Sequence, residues 1–504
     1  MVASHFVLRL LWVLIAGTTV LAQSAPVLIN PATGKPYDVL FIMIDDHKPD
    51  LHSAPGGNRI VATPSMERLA ARSTWFTRAY VDAPACCPSR TALVTGVSAT
   101  RSGVYYNNQA YRRSKAWISG VQTLPGLFKE RGYFTAHFGK ITHNRYLEDD
   151  ERDYAPGYYK AFNRNVTHKD SDLRKFILPG TEVAMWTSGW SWGVLPDDWD
   201  RDDPSKLQQD TEFALQAAQL LKQKHDRPFF IACGFWRPHV SWTVPKRYFD
   251  RYPLESIELP ESYRAGDNED LPKAAQWLAT HRGEHAFITK NDLWKKCLQA
   301  KYAATAYVDD QIGRLLDALD AGPNRDNTII VFAADNGWHT GEKDHWSKFY
   351  LSELACRVVF SISVPGLPRQ RYEHPVGLID IYPTLATLCG LGKPRTHDWD
   401  GVDLTPLLRD PRAHRGRPVL STYGPDCHSL RDDHFRYTRY LNGEEELYDH
   451  RTDPHEWRNL SADTRYAADK TRLQRELPPP SAPEIEYTTG KEKDSNAWSE
   501  KAFD

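Results

Sequence analysis

Residues 39–44 (VLFIMI) form an unbroken apolar run that stops at Asp45-Asp46. A run of this length without polar alternation predicts a strand buried on both faces of a parallel sheet. The pattern returns at 228–234 (PFFIACG) and at 328–334 (TIIVFAA), the latter ending at Asp335-Asn336-Gly337. Between these runs the period lengthens. Over 299–321, Val308, Ile312, Leu315, Leu316 and Leu319 recur at helical spacing and predict a helix with one apolar face. Asp309 and Asp310 fall off that face and read as solvated or structural. Thr63-Pro64 ahead of Met66 and Leu69 reads as an N-cap, a first-turn proline and a helix. Strands alternating with helices predict an α/β sheet covered on both sides.

After about residue 410 the texture changes. Short β-like runs alternate with turns over 416–460, and Asn442-Gly443 between two of them is a hairpin signal. This predicts a smaller, mainly antiparallel subdomain. From 478 the chain is Pro-rich (PPPSAPE) and then polar, which reads as an extended or mobile segment. At the other end, His5 and Arg9, the apolar stretch 10–16 and Val20-Leu21-Ala22 read as a secretory signal. The stretch is too short to span a bilayer, so export without stable membrane insertion is expected. The expected organisation is a signal over 1–22, a main α/β domain over 23–410, an antiparallel α+β subdomain over 411–475 and a tail over 476–504.

Composition narrows the class. Of 504 residues, 41% are hydrophobic and 25% charged, a globular mix that excludes a disordered chain and a multi-span membrane protein. Lys and Arg number 63 against 65 Asp and Glu, a net charge of −2, so the basic excess of a nucleic-acid binder is missing. Seven cysteines is an odd number for an exported chain, and one is left over if the others pair. Cys86 and Cys87 are neighbours and poorly placed to bridge each other. Cys233, inside an apolar run, reads as a buried thiol.

Two strand ends carry chemistry. In open α/β sheets, ligands bind beyond the carboxyl ends of the strands. Asp45, Asp46, Asp335 and Asn336 can therefore meet in one oxygen-rich site, which suits Ca²⁺ or Mg²⁺ better than zinc. Taken singly, each pair reads as the start of a turn. The second constellation is 85–96 (ACCPSRTALVTG). Pro88 can set the first turn of a helix whose free N–H groups attract an anion near Cys86. Arg90 adds a planar fork suited to oxyanions. A structural disulfide or a buried thiol stays open for Cys86.

The C-x-P-S-R run followed by T-G resembles the signature of the type I sulfatases. Gly139-Lys140-Ile141-Thr142-His143 is similar to that family's G-K-x-x-H element. Asp335-Asn336-Gly337 with Gly341-Glu342 and Lys348 resembles its second metal and sulfate block. Glu446-Leu447-Tyr448-Asp449 and Asp453-Pro454-His455-Glu456 resemble its C-terminal ending, and the order holds from about residue 37 to 461. Arg237-Pro238-His239, Trp338 and Trp346-Ser347-Lys348 resemble the iduronate-2-sulfatase branch. Asn336 stands where that branch has His, and both types occur in the family. Lys343 stands where a His is common, so its role stays open.

The resemblance implies an alkaline-phosphatase-like sandwich with a large mixed, mainly parallel sheet. It implies that a formylglycine-generating enzyme converts Cys86 to formylglycine (3-oxoalanine), whose hydrate attacks sulfur. One Ca²⁺ would be held by Asp45, Asp46, Cys86, Asp335 and Asn336. Lys140, Lys348 and Arg90 would hold the sulfate, with His239 as acid for the leaving alcohol and His143 as base for the second step. The implied substrate is a sulfated saccharide, polysaccharide-derived oligosaccharides included, met in a periplasm, outside the cell or in a lysosome. His428 and Arg431 could reach the sugar or be structural. The rivals are a phosphatase, phosphodiesterase or phosphonate hydrolase on the same fold, and a non-catalytic secreted glycan-binding protein.

Overall fold

The structure, a computed structural model, describes residues 29–143, 174–184, 191–201 and 203–487. The signal expected over 1–22 and the end of the tail beyond 487 lie outside the described residues. The main sheet contains β1 (Asp38–Ile44), β2 (Thr74–Tyr80), β3 (Phe134–Gly139), β4 (Phe229–Gly234), β5 (Thr328–Ala334), β6 (Arg357–Ser363), β7 (Gln370–Tyr372) and β8 (Val376–Gly377). Its order is β7-β2-β6-β5-β1-β4-β3, with β8 also on β2. Only β6 runs against its neighbours, so the sheet is mixed and mainly parallel. All seven residues of β1 and of β5 are buried, as their apolar runs require.

Register decides where the chemistry gathers. Ile44 pairs with Ala334, so Asp45 and Asp335 leave the sheet side by side. Met43 pairs with Gly234, and Gly234 with Gly139, which brings the loops after β4 and β3 to the same edge. Backbone bonds extend the pairing past the strands: Asp335 N donates to Ile44 O at 3.2 Å and Asp45 N to Arg237 O at 3.4 Å.

Four helices matter for the site: α1 (Pro64–Ala70), α2 (Cys86–Thr95), α3 (Gln209–Leu221) and α4 (Trp294–Asp320). Thr63 does not cap α1, contrary to the sequence pattern; its hydroxyl is taken by Ser53 N at 2.9 Å. The cap comes from Asp309 on α4, whose carboxylate accepts from Ser65 N and Met66 N, both at 2.9 Å. Asp309 is therefore buried and structural. Among the described residues, which include all seven cysteines, no disulfide forms, so the pairing weighed for an exported chain is not seen. No helix among them is long and apolar enough to cross a membrane.

The C-terminal sheet contains β9 (Val419–Thr422), β10 (His428–Arg431), β11 (Phe435–Arg439) and β12 (Glu445–Asp449), antiparallel and in sequence order. Gly443 takes a φ of 84° in the turn between β11 and β12, a conformation that favours glycine. Buried ion pairs attach this sheet to the main domain. Arg436 on β11 donates through Nε to Glu456 at 2.6 Å and through Nη2 to Glu353, just ahead of β6. His450 adds a contact to Glu456 at 2.9 Å. Residues 481–487 then run extended along 100–109: Ala482 N donates to Thr100 O at 2.7 Å and Ile485 N to Gly103 O at 3.0 Å. The Ile485 side chain joins a small apolar cluster with Cys87, Val97 and Val104.

Removing one partner of a buried ion pair strands the other charge. Arg436→Met should therefore cost about 3–5 kcal/mol in urea unfolding. Burial raises the Glu456 carboxyl, but Arg436 and His450 outweigh it and hold it at about 2, below its ordinary 4.5. A depressed carboxyl stabilises the fold above its unfolded value and loses that contribution as pH falls through the folded one. The stability gap between wild type and Arg436→Met should thus shrink as pH falls from about 4.5 towards 2. A gap that stays constant with pH contradicts this assignment.

Candidate active site

The first carboxylate pair sits where β1 ends, and both residues are fully buried. Asp46 takes a φ of 56°, unusual for a residue with a side chain. Its neighbours fix that conformation: Asp46 N donates to Asp335 Oδ1 at 3.1 Å, and Asn336 Nδ2 donates to Asp46 Oδ1 at 2.8 Å. Three carboxylates and an amide are thus packed together at two adjacent strand ends.

Cys86 opens α2 and points into this group. Its Sγ lies 3.4 Å from Asp45 Oδ1, 3.9 Å from Asp46 Oδ1 and 2.6 Å from Lys348 Nζ. One turn on, Arg90 Nε donates to Asp335 Oδ2 at 2.7 Å, and Nη2 lies 3.5 Å from Asp45 Oδ2. Its Nη1 donates to the carbonyls of Lys140 and Ile141. Arg90 therefore joins α2, β1, β5 and the loop after β3. Ser89 adds a hydrogen bond to Asp335 O at 2.5 Å.

Lys140 arrives through a turn that demands glycine. Gly139 has a φ of 66°, and a Cβ there would stand 2.0 Å from Gly234 O. The lysine ammonium donates to Asp45 and lies 4.5 Å from the centre of the Trp236 ring. Lys348 donates to Asp46. It is carried by a loop braced by His345, whose ring nitrogens contact Ala279 O at 2.9 Å and Lys348 O at 2.7 Å.

His239 follows β4, on a turn whose Trp236 and Arg237 N–H groups both donate to Asp210 of α3 at 2.9 Å. Its Nε2 lies 3.4 Å from Asp46 Oδ2, and the side chain is 24% exposed, so it stands at the mouth of the site. His143 is half-buried and feels the charges of Lys140, Lys348, Asp45 and Arg90. All ten residues singled out in the sequence converge here.

Charge governs the protonation states. Burial alone would raise both carboxyls, but Lys140 beside Asp45 holds it well below the usual range, and Lys348 beside Asp46 holds it at about 2. Burial, then Asp335 and Asp45, push the Cys86 thiol far up, which disfavours a thiolate nucleophile. Burial, then Lys140 and Lys348, hold His143 well below the imidazole range and keep it neutral.

The donor set fits a hard cation. Asp46 Oδ2 and Asn336 Oδ1 are buried without a hydrogen-bond partner, a costly arrangement that a cation relieves. Asp45, Asp46, Cys86 and His239 place ligand atoms within 4.8 Å of one another. One residue escaped the sequence reading. Lys301 on α4 is fully buried and donates to Asp46 O and, at 3.0 Å, to Pro238 O. The available signal was its place two turns before Val308, on the apolar face of the helix. Three other residues lie elsewhere. Lys343 donates to Glu456 O at 2.6 Å, His428 contacts Thr422, and Arg431 faces Glu353, which are structural contacts of the C-terminal sheet.

A sequence profile of the sulfatase family matches residues 37–391. The chain belongs to the sulfatase family. A sulfatase of Formosa agariphila is 32% identical over 467 residues, spanning 88% of this chain and 87% of that protein. Iduronate 2-sulfatase of Mus musculus is 29% identical, over 76% of this chain and 73% of that enzyme. The crystal structure of phosphonate monoester hydrolase of Agrobacterium radiobacter overlays with a TM-score of 0.68 at 22% identity, covering 87% of this chain and 94% of that one. The last likeness is one of fold alone. This sulfatase is a hydrolase of sulfuric esters on an alkaline-phosphatase-like fold.

A hard divalent cation added to chelator-stripped protein should raise its melting temperature. At a hundredfold excess over the dissociation constant the gain is about 2.7 kcal/mol. Asp46→Asn should remove most of that gain, and a melting temperature indifferent to the cation would contradict the site.

Proposed function

We propose that this sulfatase cleaves sulfate esters of a sulfated saccharide, with Cys86 converted to formylglycine and one calcium ion held at the strand ends. The reading is carried by the position of Cys86, fully buried at the head of α2, 3.4 Å from Asp45 and 2.6 Å from Lys348. A thiol walled in by carboxylates is a poor nucleophile, whereas an aldehyde hydrate at the same Cβ supplies an oxygen nucleophile and a second hydroxyl that lets the aldehyde re-form. Asp45, Asp46, Asp335 and Asn336 would hold the calcium, with residue 86 beside them. When bound, the ion supplies positive charge against the sulfate oxygens.

The chain's own residues fill the remaining roles. Lys348, against Cys86, and Lys140, on the neighbouring Asp45, take sulfate oxygens. Arg90 holds Asp335 and the Lys140 backbone in place and adds charge beneath the anion. His239, at the mouth, donates a proton to the departing sugar oxygen. His143 accepts a proton as the aldehyde re-forms. The saccharide is supported by the likeness to iduronate 2-sulfatase. Export follows from the signal pattern of 1–22, and formylglycine implies a generating enzyme as maturation partner.

A phosphorus ester is the second reading, because the phosphonate monoester hydrolase shares the fold. The C-x-P-S-R run around Cys86 favours sulfur. The protein should be co-expressed with a formylglycine-generating enzyme and offered sulfated uronic-acid disaccharides, ulvan and carrageenan oligosaccharides, an aryl sulfate and an aryl phosphate. Sulfate release from a sugar ester should exceed phosphate release. Cys86→Ala should lower it by about a thousandfold or more with the melting temperature unchanged. Faster aryl phosphate turnover, or activity kept in Cys86→Ala, would overturn the proposal.

A further inference from the structure

Lys301 has no part in the roles above, yet it is fully buried against the site. Its hydrogen bonds go to backbone carbonyls rather than to a carboxylate, an uncommon use of a buried lysine. One carbonyl belongs to Asp46, in the loop that ends β1. The other, at 3.0 Å, belongs to Pro238, next to His239. The same nitrogen lies 4.6 Å from the centre of the Trp338 ring and 5.6 Å from that of Trp242. Trp338 follows Asp335-Asn336-Gly337, and Trp242 Nε1 donates to Pro238 O at 2.8 Å. One side chain, rising from a helix outside the sheet, thus touches all three loops that bring Asp46, Asn336 and His239 together.

We propose that Lys301 is a positioning residue that sets His239 against Asp46, and so holds the leaving-group acid in line with the sulfate. The distance it fixes is the 3.4 Å between His239 Nε2 and Asp46 Oδ2. Asp46 is bonded to Lys348, one of the cations that would take the sulfate, and His239 must reach the oxygen on the far side of sulfur. A displacement of about 1 Å between such groups costs on the order of a hundredfold in rate. The turn carrying His239 is tied down by Asp210 on one side and Lys301 on the other. Without Lys301, Pro238 keeps only the bond from Trp242, and the Asp46 carbonyl loses its donor. The inference rests on the reading of His239 as the acid.

Leaving groups separate positioning from general stability. Phenolate is basic enough to need a proton as it departs, and 4-nitrophenolate is not. Lys301→Met should lower kcat on phenyl sulfate about fiftyfold and on 4-nitrophenyl sulfate less than fivefold, with KM little changed. His239→Ala should show the same split, and the double variant should be no worse than His239→Ala alone. Lys301→Gln keeps N–H donors on a shorter arm; it should give an intermediate loss with the same split and serves in the cycle if the Met variant does not fold. Equal losses on the two esters, or additive losses in the double variant, would overturn the proposal. If His239→Ala itself shows no split, the acid reading fails. The coupling is then judged by the double variant alone, where additivity still rules Lys301 out.

Discussion

Three buried carboxylates meet at the ends of two neighbouring strands, and most of what surrounds them answers that fact. Taking an ion out of water costs several kcal/mol even after relaxation, and like charges in contact add to it. Asp45, Asp46 and Asp335 are tolerable only because Lys140, Lys348 and Arg90 press on them from three directions. Each cation needs its own route in. Arg90 comes up from α2, Lys140 comes round the tight turn at Gly139, and Lys348 comes on a loop in which Ser347 takes a φ of 114°. The conformation of Asp46 costs about 1–3 kcal/mol and persists because four neighbours fix it. The arrangement that makes the site expensive to fold also makes it receptive to a sulfate ester. Its cations are already in place before the anion arrives, so little reorganisation is left for the reaction.

The sequence was most readable where burial is two-sided. The runs ending at Asp45 and Asp335 had no polar interruption, and two such strands in register must bring their final residues together. The head of α2 was readable because Pro88 and Arg90 each have one evident use there. What stayed hidden depended on contacts across the chain. Asp309 caps a helix more than two hundred residues away; it stands three residues before Ile312 and seven before Leu316, at the edge of the apolar stripe, and no local pattern shows which N–H groups its carboxylate serves. Lys301 was hidden for the converse reason: a lysine in a helix reads as solvated until the helix is seen to be covered on nearly every side. The strands β2 and β6 also escaped, because Thr77 and Arg78 interrupt the apolar texture of the first and Ser361 that of the second.

The C-terminal motif has a physical meaning distinct from catalysis. Glu446 is buried and accepts from Tyr448 at 2.6 Å and from Tyr440. Glu456 anchors Arg436 and His450, and its backbone carbonyl receives Lys343. These residues bolt the small sheet to the segment between β5 and β6, the same segment that delivers Lys348. The subdomain thus acts on the site indirectly, by fixing the loop that carries one of its cations.

The strap formed by residues 481–487 bears on the order in which events must occur. It lies along 100–109 and places Ile485 in a cluster with Cys87, the neighbour of the fully buried Cys86. Any enzyme that alters Cys86 must reach it before that packing closes. The strap follows Cys86 in the chain by nearly four hundred residues. The packing around Cys87 is therefore completed only once a segment far downstream has been made and has docked.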